Sequence, residues 1–508
     1  MKKLRICIID LIHNSPSQSL YRHIMFPNYI GIMPQIIGVW CREEGHEVHY
    51  SIFTGSQNLK SLLVDKTDLV FISSFSYTAL LAYALSNYFR SKGIVTVLGG
   101  PHARCYPEDA CLNFDYVLGL TDKKLLNDLL HNFEFNNRPG TYLTAFSQPL
   151  SIPSVRERWE FIEKVHKQFS IIKVVPMIGS FGCPYKCDFC IDSEIPYQTL
   201  DFNMIREDLK FLIKKIKHPS VSWYDPNFGI KFNLFMETIE SAVPQGSIDF
   251  IAECSLSVLS ESNVKRLKRN GFKMVMPGIE SWFDYGEKLR TGSGVGMERV
   301  REVSDKVNMI QNYIPHVQTN FMFGFDNDAG QMPFELTKRF IDLSPAVYPS
   351  FALLSVFGQA TKDNLKYENE NRIIPFPFNM MRSVHTLNII PKNYTWQEFY
   401  ILFIDLLKYS FSSKAMYRRF NSNHMATSRW VTLLLSLTIG GTGKIKYLSD
   451  MMKILRREPD FQSFVKKEIN HVPTFMIENA KKDLGPMWQW LPNKFLSYNP
   501  NVISQSNL

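Results

Sequence analysis

Short apolar runs separated by helical stretches recur along much of this 508-residue chain, and that alternation restricts its fold more than any other feature. LRICIID, HEVHYSIF, DLVFIS, IVTVL and FDYVLG read as buried strands within residues 1–131. Helical patterns lie between and after them, at roughly 32–44, 57–64, 78–92, 107–112 and 121–131. Strands alternating with helices imply a parallel, doubly wound sheet covered on both faces. Such sheets bind ligands at the carboxyl ends of their strands, near the switch point in strand order. Here those ends carry SSFS at 73–76 and GGPHA at 99–103.

Residues 132–170 read as a connector, with NNRPG, SQPLSIPS and a charged helical run. The alternation then resumes. IIKVVPMIGS, VSWYD, IDFIAEC, FKMVMPG, HVQTNFMFG and SFALLSVFG predict six more strands over 171–360. Six strand–helix repeats suit a partial (β/α)6 barrel related to the TIM barrel, with its working loops at the strand carboxyl ends. Beyond about 360 the strand signal fades into a mostly helical region, 361–508. Thr395 with Glu398 predicts a capping box there, followed by a core stripe of Phe399, Leu402, Phe403, Leu406 and Leu407. The expected class is therefore α/β: a doubly wound sheet, a TIM-like partial barrel and a helical third region. A chain this long exceeds one hydrophobic core, which agrees with that division.

With 45% apolar and 21% charged residues the composition is that of a soluble globular protein, and a net charge of +9 is too mild to argue for nucleic acid. Leu69–Phe89 lacks charge but holds Ser73, Ser74, Ser76, Thr78, Ser86 and Asn87, too many polar groups for a lipid-facing helix. No transmembrane segment is expected. The start, MKKLRICIID, fits a first strand better than a signal peptide. Eight cysteines in so long a chain do not make a disulfide scaffold, so a reducing, cytoplasmic setting is expected.

Three of those cysteines, Cys183, Cys187 and Cys190, fall within GSFGCPYKCDFCID, just after the first strand of the barrel pattern. A disulfide would strand one thiol. Structural zinc wants four ligands, and a fourth would have to come from a distant part of the chain. An iron–sulfur cubane takes thiolates and has four irons, so three cysteines leave one iron open for a substrate or cofactor.

CPYKCDFC, a C-x3-C-x2-C motif after a barrel's first strand, resembles the radical S-adenosylmethionine (SAM) superfamily. The resemblance implies a 4Fe–4S cluster on Cys183, Cys187 and Cys190, whose open iron binds the amino and carboxylate groups of SAM. It places Phe189 near the adenine. PGIES at 277–281 resembles the fourth-strand segment that contacts the ribose, making Glu280 and Ser281 candidates. TNFMFGFDND resembles the fifth-strand motif, anchored at Gly324. Asp225 in YDPNF and Glu253 in AEC end the second and third strands and are further candidate SAM contacts. A strand-end carboxylate serves equally often as a cap or ion-pair partner, and Cys254 reads as core.

A doubly wound domain ahead of such a barrel resembles the cobalamin-binding subgroup. By that resemblance Ser73, Ser76, Gly99, Gly100, Pro101 and His102 would hold cobalamin, although GGP taken alone reads first as a tight turn. Two departures stand out. DLIHNSP lacks the D-x-H-x-x-G pattern of histidine-ligated cobalamin, and GLTD at 119–122 replaces a G-E-G-E-like turn.

The implied activity is reductive cleavage of SAM to methionine and a 5′-deoxyadenosyl radical. The radical takes hydrogen from an unactivated carbon of a small-molecule substrate, and cobalamin then delivers a methyl group. Radical cyclisation, rearrangement or oxidation without methyl transfer is an alternative, as is a non-catalytic cofactor-binding or regulatory protein. A low-potential electron donor protein is the implied partner. Between Leu406 and Ser449 stand seven Lys or Arg and no acid, around WVTLLLSLTIG. This stretch is expected to be a solvated basic face over a core helix. A lipid-like or phosphate-bearing substrate, or an anionic membrane surface, is the alternative contact. GGTGK at 440–444 has the wrong spacing for a phosphate loop.

Overall fold

The computed structural model describes residues 3–13, 30–53, 62, 66–132, 140–168, 173–283, 294–438, 440–491 and 496. The helix expected at 57–64 lies, apart from Leu62, outside the described residues. Six strands make the first sheet: β1 (Arg5–Leu11), β2 (Glu47–Phe53), β3 (Leu69–Ser74), β4 (Val95–Gly99), β5 (Tyr116–Leu118) and β6 (Thr141–Leu143). Their order is β2-β1-β3-β4-β5-β6, and all pairings are parallel. A parallel sheet covered on both faces needs strands apolar on both sides. Six of the seven residues of β1 are buried, and five of the six in β3. The order reverses between β1 and β3, so the switch point lies beside Asp10 and Ser73, which are paired in register.

The second sheet begins with β7 (Val174–Met177). A small antiparallel pair, β8 (Ser180–Phe181) and β9 (Gln198–Thr199), brackets the cysteine loop. The sheet continues through β10 (Ser220–Trp223), β11 (Asp249–Ser255), β12 (Phe272–Glu280), β13 (His316–Phe323) and β14 (Tyr348–Leu353). These follow one another in sequence order, β7-β10-β11-β12-β13-β14, all parallel. This is the expected (β/α)6 arrangement. Register aligns Met177, Trp223, Ala252 and Val275 across four strands, so the loops after them share one rim.

Residues 140–168 are more than a connector. Thr141–Leu143 adds the sixth strand, and the helix Val155–Gln168 packs on the first domain, where Arg158 donates to Gln35 at 3.0 Å and Arg42 to Glu160 at 2.8 Å. A three-residue strand carries no periodicity, and it forms because the edge of β5 offers unpaired backbone groups.

The C-terminal region is helical as expected. Thr395 and Glu398 form the capping box, and Phe399, Phe403, Leu406 and Leu407 are fully buried. The chain then returns to the first domain: Asn87 Nδ2 donates to the Trp490 carbonyl at 3.1 Å, and Trp490 meets Tyr88 edge-on.

The basic stretch departs from a uniformly solvated face. Arg419 is 2% exposed and donates to the Val347 and Ser410 carbonyls, while Lys444 is 4% exposed and donates to the Phe351 carbonyl. Trp430, Val431, Leu434 and Leu437 on the helix Ala426–Leu437 are exposed instead. Among the described residues, no helix is long and apolar enough to cross a membrane.

Candidate functional site

The cysteine loop leaves β7 at the rim shared by the other barrel strands. Gly182, just before Cys183, has φ +66°, and a β-carbon there would collide with the carbonyls of Ile195 and Pro196. Only glycine lets the loop fold back this closely. Cys183, Cys187 and Cys190 are all half-buried, and none of the eight cysteines is in a disulfide. The Cys190 N–H donates to the Cys187 carbonyl at 2.9 Å, and the Asp192 N–H to Cys190 Sγ at 3.4 Å. Among the described residues, no three His, Cys, Asp or Glu side chains group as around a metal ion. Three accessible thiols on one short loop are a donor set that fits an iron–sulfur cluster, which takes thiolates on separate irons.

Phe189 meets Phe325 edge-on with centroids 5.6 Å apart, bringing the loop to the segment after β13. There the Gly324 and Phe325 N–H groups both donate to Asp328 Oδ2. Glu280 closes β12 in a left-handed conformation, φ +57°, where the pairing with β13 jumps past Ile279. Such strain in a non-glycine residue costs roughly 1–3 kcal/mol and clusters at functional sites. Ser281, beside it, is 4% exposed and accepts from the Phe283 N–H at 3.2 Å. Glu253 is exposed on β11, and its carbonyl accepts from the Phe228 N–H. Cys254 is buried in the core, as read from the sequence.

Asp225 does something different from the expected contact with SAM. It is 2% exposed and both its oxygens are engaged by the chain: the Gly179 N–H donates at 3.0 Å and Ser180 Oγ at 2.5 Å. The carboxylate thus fixes the entry to the cysteine loop, which supports a positioning role. Burial pushes its pKa up to about 6. The folded chain then holds a proton that the unfolded chain has already released. Asp225's contribution to stability is therefore full below about pH 4 and falls as pH rises through about 6. Asp225→Asn keeps an acceptor for one donor and loses the other, so about 1–3 kcal/mol of destabilisation is expected. Urea unfolding should show a larger loss near pH 4 than at about pH 7.5. A loss that grows with pH would contradict this assignment.

At the carboxyl ends of the first sheet a cavity of about 330 Å³ opens toward the barrel. Ser73, Gly99, Gly100 and Pro101 line one side, and Ile178, Phe181 and Gly182 the other. Gly100 has φ +90°, and a β-carbon would lie 2.9 Å from the backbone N and O of Ser74. Gly100 thus closes the loop on Ser74, while Gly99, where a β-carbon would meet nothing within 4 Å, leaves the cavity wall open, a cradle that fits a bulky ligand such as cobalamin. Asp10, 3% exposed, accepts from the Gly31 N–H at 2.6 Å and from Ser73, and burial raises its pKa to about 6.

His102, expected among the residues that hold cobalamin, lies in the core instead of in the lining of this cavity. It is fully buried, hydrogen-bonded to Tyr83 Oη at 2.7 Å and Ser76 Oγ at 3.2 Å, and packed edge-on against Phe378. Burial pushes its pKa down to about 3, so it is a neutral ring under the glycine loop. Ser76 lines a second cavity instead of the first. His13, set at the wrong spacing for a cobalt ligand, is buried at 3.5 Å from the Arg382 guanidinium.

Arg104 went unnoticed in the sequence. From the short helix Pro101–Cys105 it donates to Asp192 Oδ1 at 3.1 Å and to the Ile191 carbonyl at 2.5 Å. It joins the glycine loop of the first sheet to the cysteine loop of the second. A lone arginine three residues past a Gly-Pro turn gives no sequence signal of that role.

Residues 177–332 match the radical SAM superfamily. The chain is 21% identical over 377 residues to bacteriochlorophyllide d C-12(1)-methyltransferase of Chlorobaculum tepidum, covering 73% of this chain and 80% of that one. It is 24% identical over 307 residues to the C-8(2)-methyltransferase of the same organism, covering 57% and 66%. Among solved structures, the radical SAM methyltransferase TsrM of Kitasatospora setae, with cobalamin and a 4Fe-4S cluster bound, aligns with TM-score 0.53. That alignment has 12% identity over 73% of this chain and 78% of that one. The cobalamin-dependent radical enzyme OxsB, with aqua-cobalamin bound, aligns with TM-score 0.56 and 15% identity, over 96% and 80%. At such identities the structural likeness is one of fold.

Proposed function

We propose that this radical SAM protein cleaves SAM reductively at a 4Fe–4S cluster and, with cobalamin, methylates an unactivated carbon of a small-molecule substrate. The observation that carries the reading is the junction at Arg104, which ties the glycine loop of one parallel sheet to the cysteine loop of the other. Two cofactors that act on one substrate must be held within reach of it and of each other. The names of the two curated relatives, both methyltransferases, support methyl transfer over the other radical outcomes.

Bound here, the cluster with SAM would supply hydrogen abstraction from carbon, and cobalamin a transferable methyl group. The chain's own part is to hold and orient. Cys183, Cys187 and Cys190 would ligate the cluster. Phe189, Glu253, Glu280, Ser281 and Gly324 are the proposed SAM contacts along the rim. Asp225 holds Gly179 and Ser180, and so the approach to Cys183. Ser73, Gly99, Gly100 and Pro101 would face cobalamin, and the apolar wall of Ile8, Ile32, Ile37 and Phe71 keeps water from that cavity. A low-potential donor protein would supply electrons, and cysteines outside disulfides suit a reducing cytoplasm.

The test is anaerobic turnover of the protein reconstituted with iron, sulfide and cobalamin, given SAM, a low-potential reductant and candidate substrates. Methyl transfer predicts both 5′-deoxyadenosine and S-adenosylhomocysteine with a mass gain of one methylene. 5′-Deoxyadenosine with an unmethylated product would reassign the chain to another radical outcome. With the cluster loaded, neither product across the substrates would remove the enzymatic reading.

A further inference from the structure

A second cavity, of about 520 Å³, lies beyond Phe75 and Pro101, which line both cavities. Its size is that of a small-molecule site. Three parts of the chain enclose it. Ser76 and Tyr77 come from the first domain, Gln318 and Ser350 from β13 and β14, and Arg382, His385 and Lys444 from the C-terminal region. Ile191, the neighbour of Cys190, is on its wall as well. The cavity therefore adjoins both the cysteine loop and the glycine loop.

Its charge is one-sided. Among the described residues no Asp or Glu lines it, whereas Arg382 and Lys444 do. Lys444 is 4% exposed, and among the described residues its ammonium has one hydrogen-bond acceptor, the Phe351 carbonyl at 2.6 Å. Two of its three N–H donors thus remain for something else. Burial alone drives its pKa down to about 7. The Arg382 guanidinium lies 4.7 Å from the Tyr77 ring centroid. Lys444 and Arg382 both act on His385, disfavouring a proton there after burial itself. A cation brought into an apolar wall is costly unless an anion meets it. Phe351, Phe357, Val384 and Leu435 are among the residues that give the wall its apolar share, and Gln318, Ser350 and Ser383 add neutral polar groups.

We propose that this cavity is the substrate site and that Lys444, with Arg382, receives a carboxylate carried by an otherwise apolar substrate. The proposal rests on the radical SAM reading above for what happens to that substrate, and on the cavity for what it is. A charge-assisted contact at a buried ammonium gives both affinity and a fixed orientation of the carbon skeleton.

The test uses the full chain loaded with iron, sulfide and cobalamin, with 1-pyrenebutyrate, its alcohol 1-pyrenebutanol and that alcohol's phosphate ester as probes, in equilibrium dialysis. The acid should bind at least about tenfold more tightly than the alcohol. Lys444→Met should bring the two within about threefold of each other, and Arg382→Gln should narrow the gap on its own. The second variant lies on a different segment, so it carries the test if the first fails to fold. Equal binding of acid and alcohol by the native chain would overturn the proposal, as would full selectivity in both variants. Tighter binding of the phosphate ester than of the acid would reassign the anion and overturn the carboxylate. The readout needs no turnover. Probe selectivity without any 5′-deoxyadenosine would sink the functional reading and leave the subsite standing, and the reverse would sink the subsite alone.

Discussion

Replacing Cys183, Cys187 and Cys190 together by alanine should abolish cluster loading and 5′-deoxyadenosine formation to the limit of detection, while the chain still folds. The thiols are half-buried on a loop, so they contribute little to core packing. The loop is held by other groups. Arg104 grips Asp192 and the Ile191 carbonyl, Lys362 pairs with Glu194 at 2.7 Å, and the Asp363 N–H donates to the Asp188 carbonyl. Phe189 on Phe325 adds an aromatic contact worth about 0.5–1.5 kcal/mol. None of these uses a sulfur. Unfolding of the metal-free triple variant should therefore stay within about 1 kcal/mol of the metal-free native chain. Cys254→Ala is the converse: it trims a buried core residue and should lower stability by about 1 kcal/mol with iron content unchanged. Iron and sulfide are measured by colorimetry, and the nucleoside by liquid chromatography. A triple variant that keeps its iron, or a native chain that takes up zinc and refuses iron, would end the cluster reading.

Where the sequence was legible, the reason is local. Strands of a parallel sheet are apolar on both faces, so β1, β3 and β7 stand out as uninterrupted runs, and the helices between them as amphipathic ones. The cysteine spacing is local as well. What escaped the sequence depends on distant partners. The strand Thr141–Leu143 exists because Tyr116–Leu118 offers it an edge. Arg419 reads as one more basic residue until the Val347 carbonyl, 72 positions away, takes its Nε. Lys444 sits in a glycine-flanked run that matches no motif, and its burial against Phe351 is set by how the helix Thr442–Arg457 packs on the barrel. His102 shows the same limit in reverse. Its neighbours Gly100 and Pro101 face the cavity, but the helix that starts at Pro101 turns the ring inward to Tyr83 and Phe378.

Gly99→Leu should abolish cobalamin retention while leaving the cluster in place. A β-carbon at Gly99 meets nothing within 4 Å, and its φ is outside the left-handed region, so the cobalamin-free chain accepts a side chain there without a clash. Yet Gly99 lines the cavity between the two sheets, so the added side chain must occupy space that a ligand there would need. Gly100→Val should give the opposite balance. Its φ of +90° and its contacts with the Ser74 backbone cannot be met by valine, so the whole chain should lose about 1–3 kcal/mol or more. Comparing the two separates a filled site from a damaged scaffold. Cobalt and iron are measured on the same desalted protein. For Gly99→Leu the expected result is native iron, a native unfolding midpoint, and at least a tenfold loss of bound cobalt, about 1.4 kcal/mol. Cys183, Cys187 and Cys190 are not among the described residues that line that cavity, so iron has no reason to follow cobalt. If Gly99→Leu binds cobalamin as the native chain does, the cavity is not where cobalamin sits. The glycine loop would then be a turn, and Arg104 would join the cysteine loop to a scaffold, not to a second cofactor.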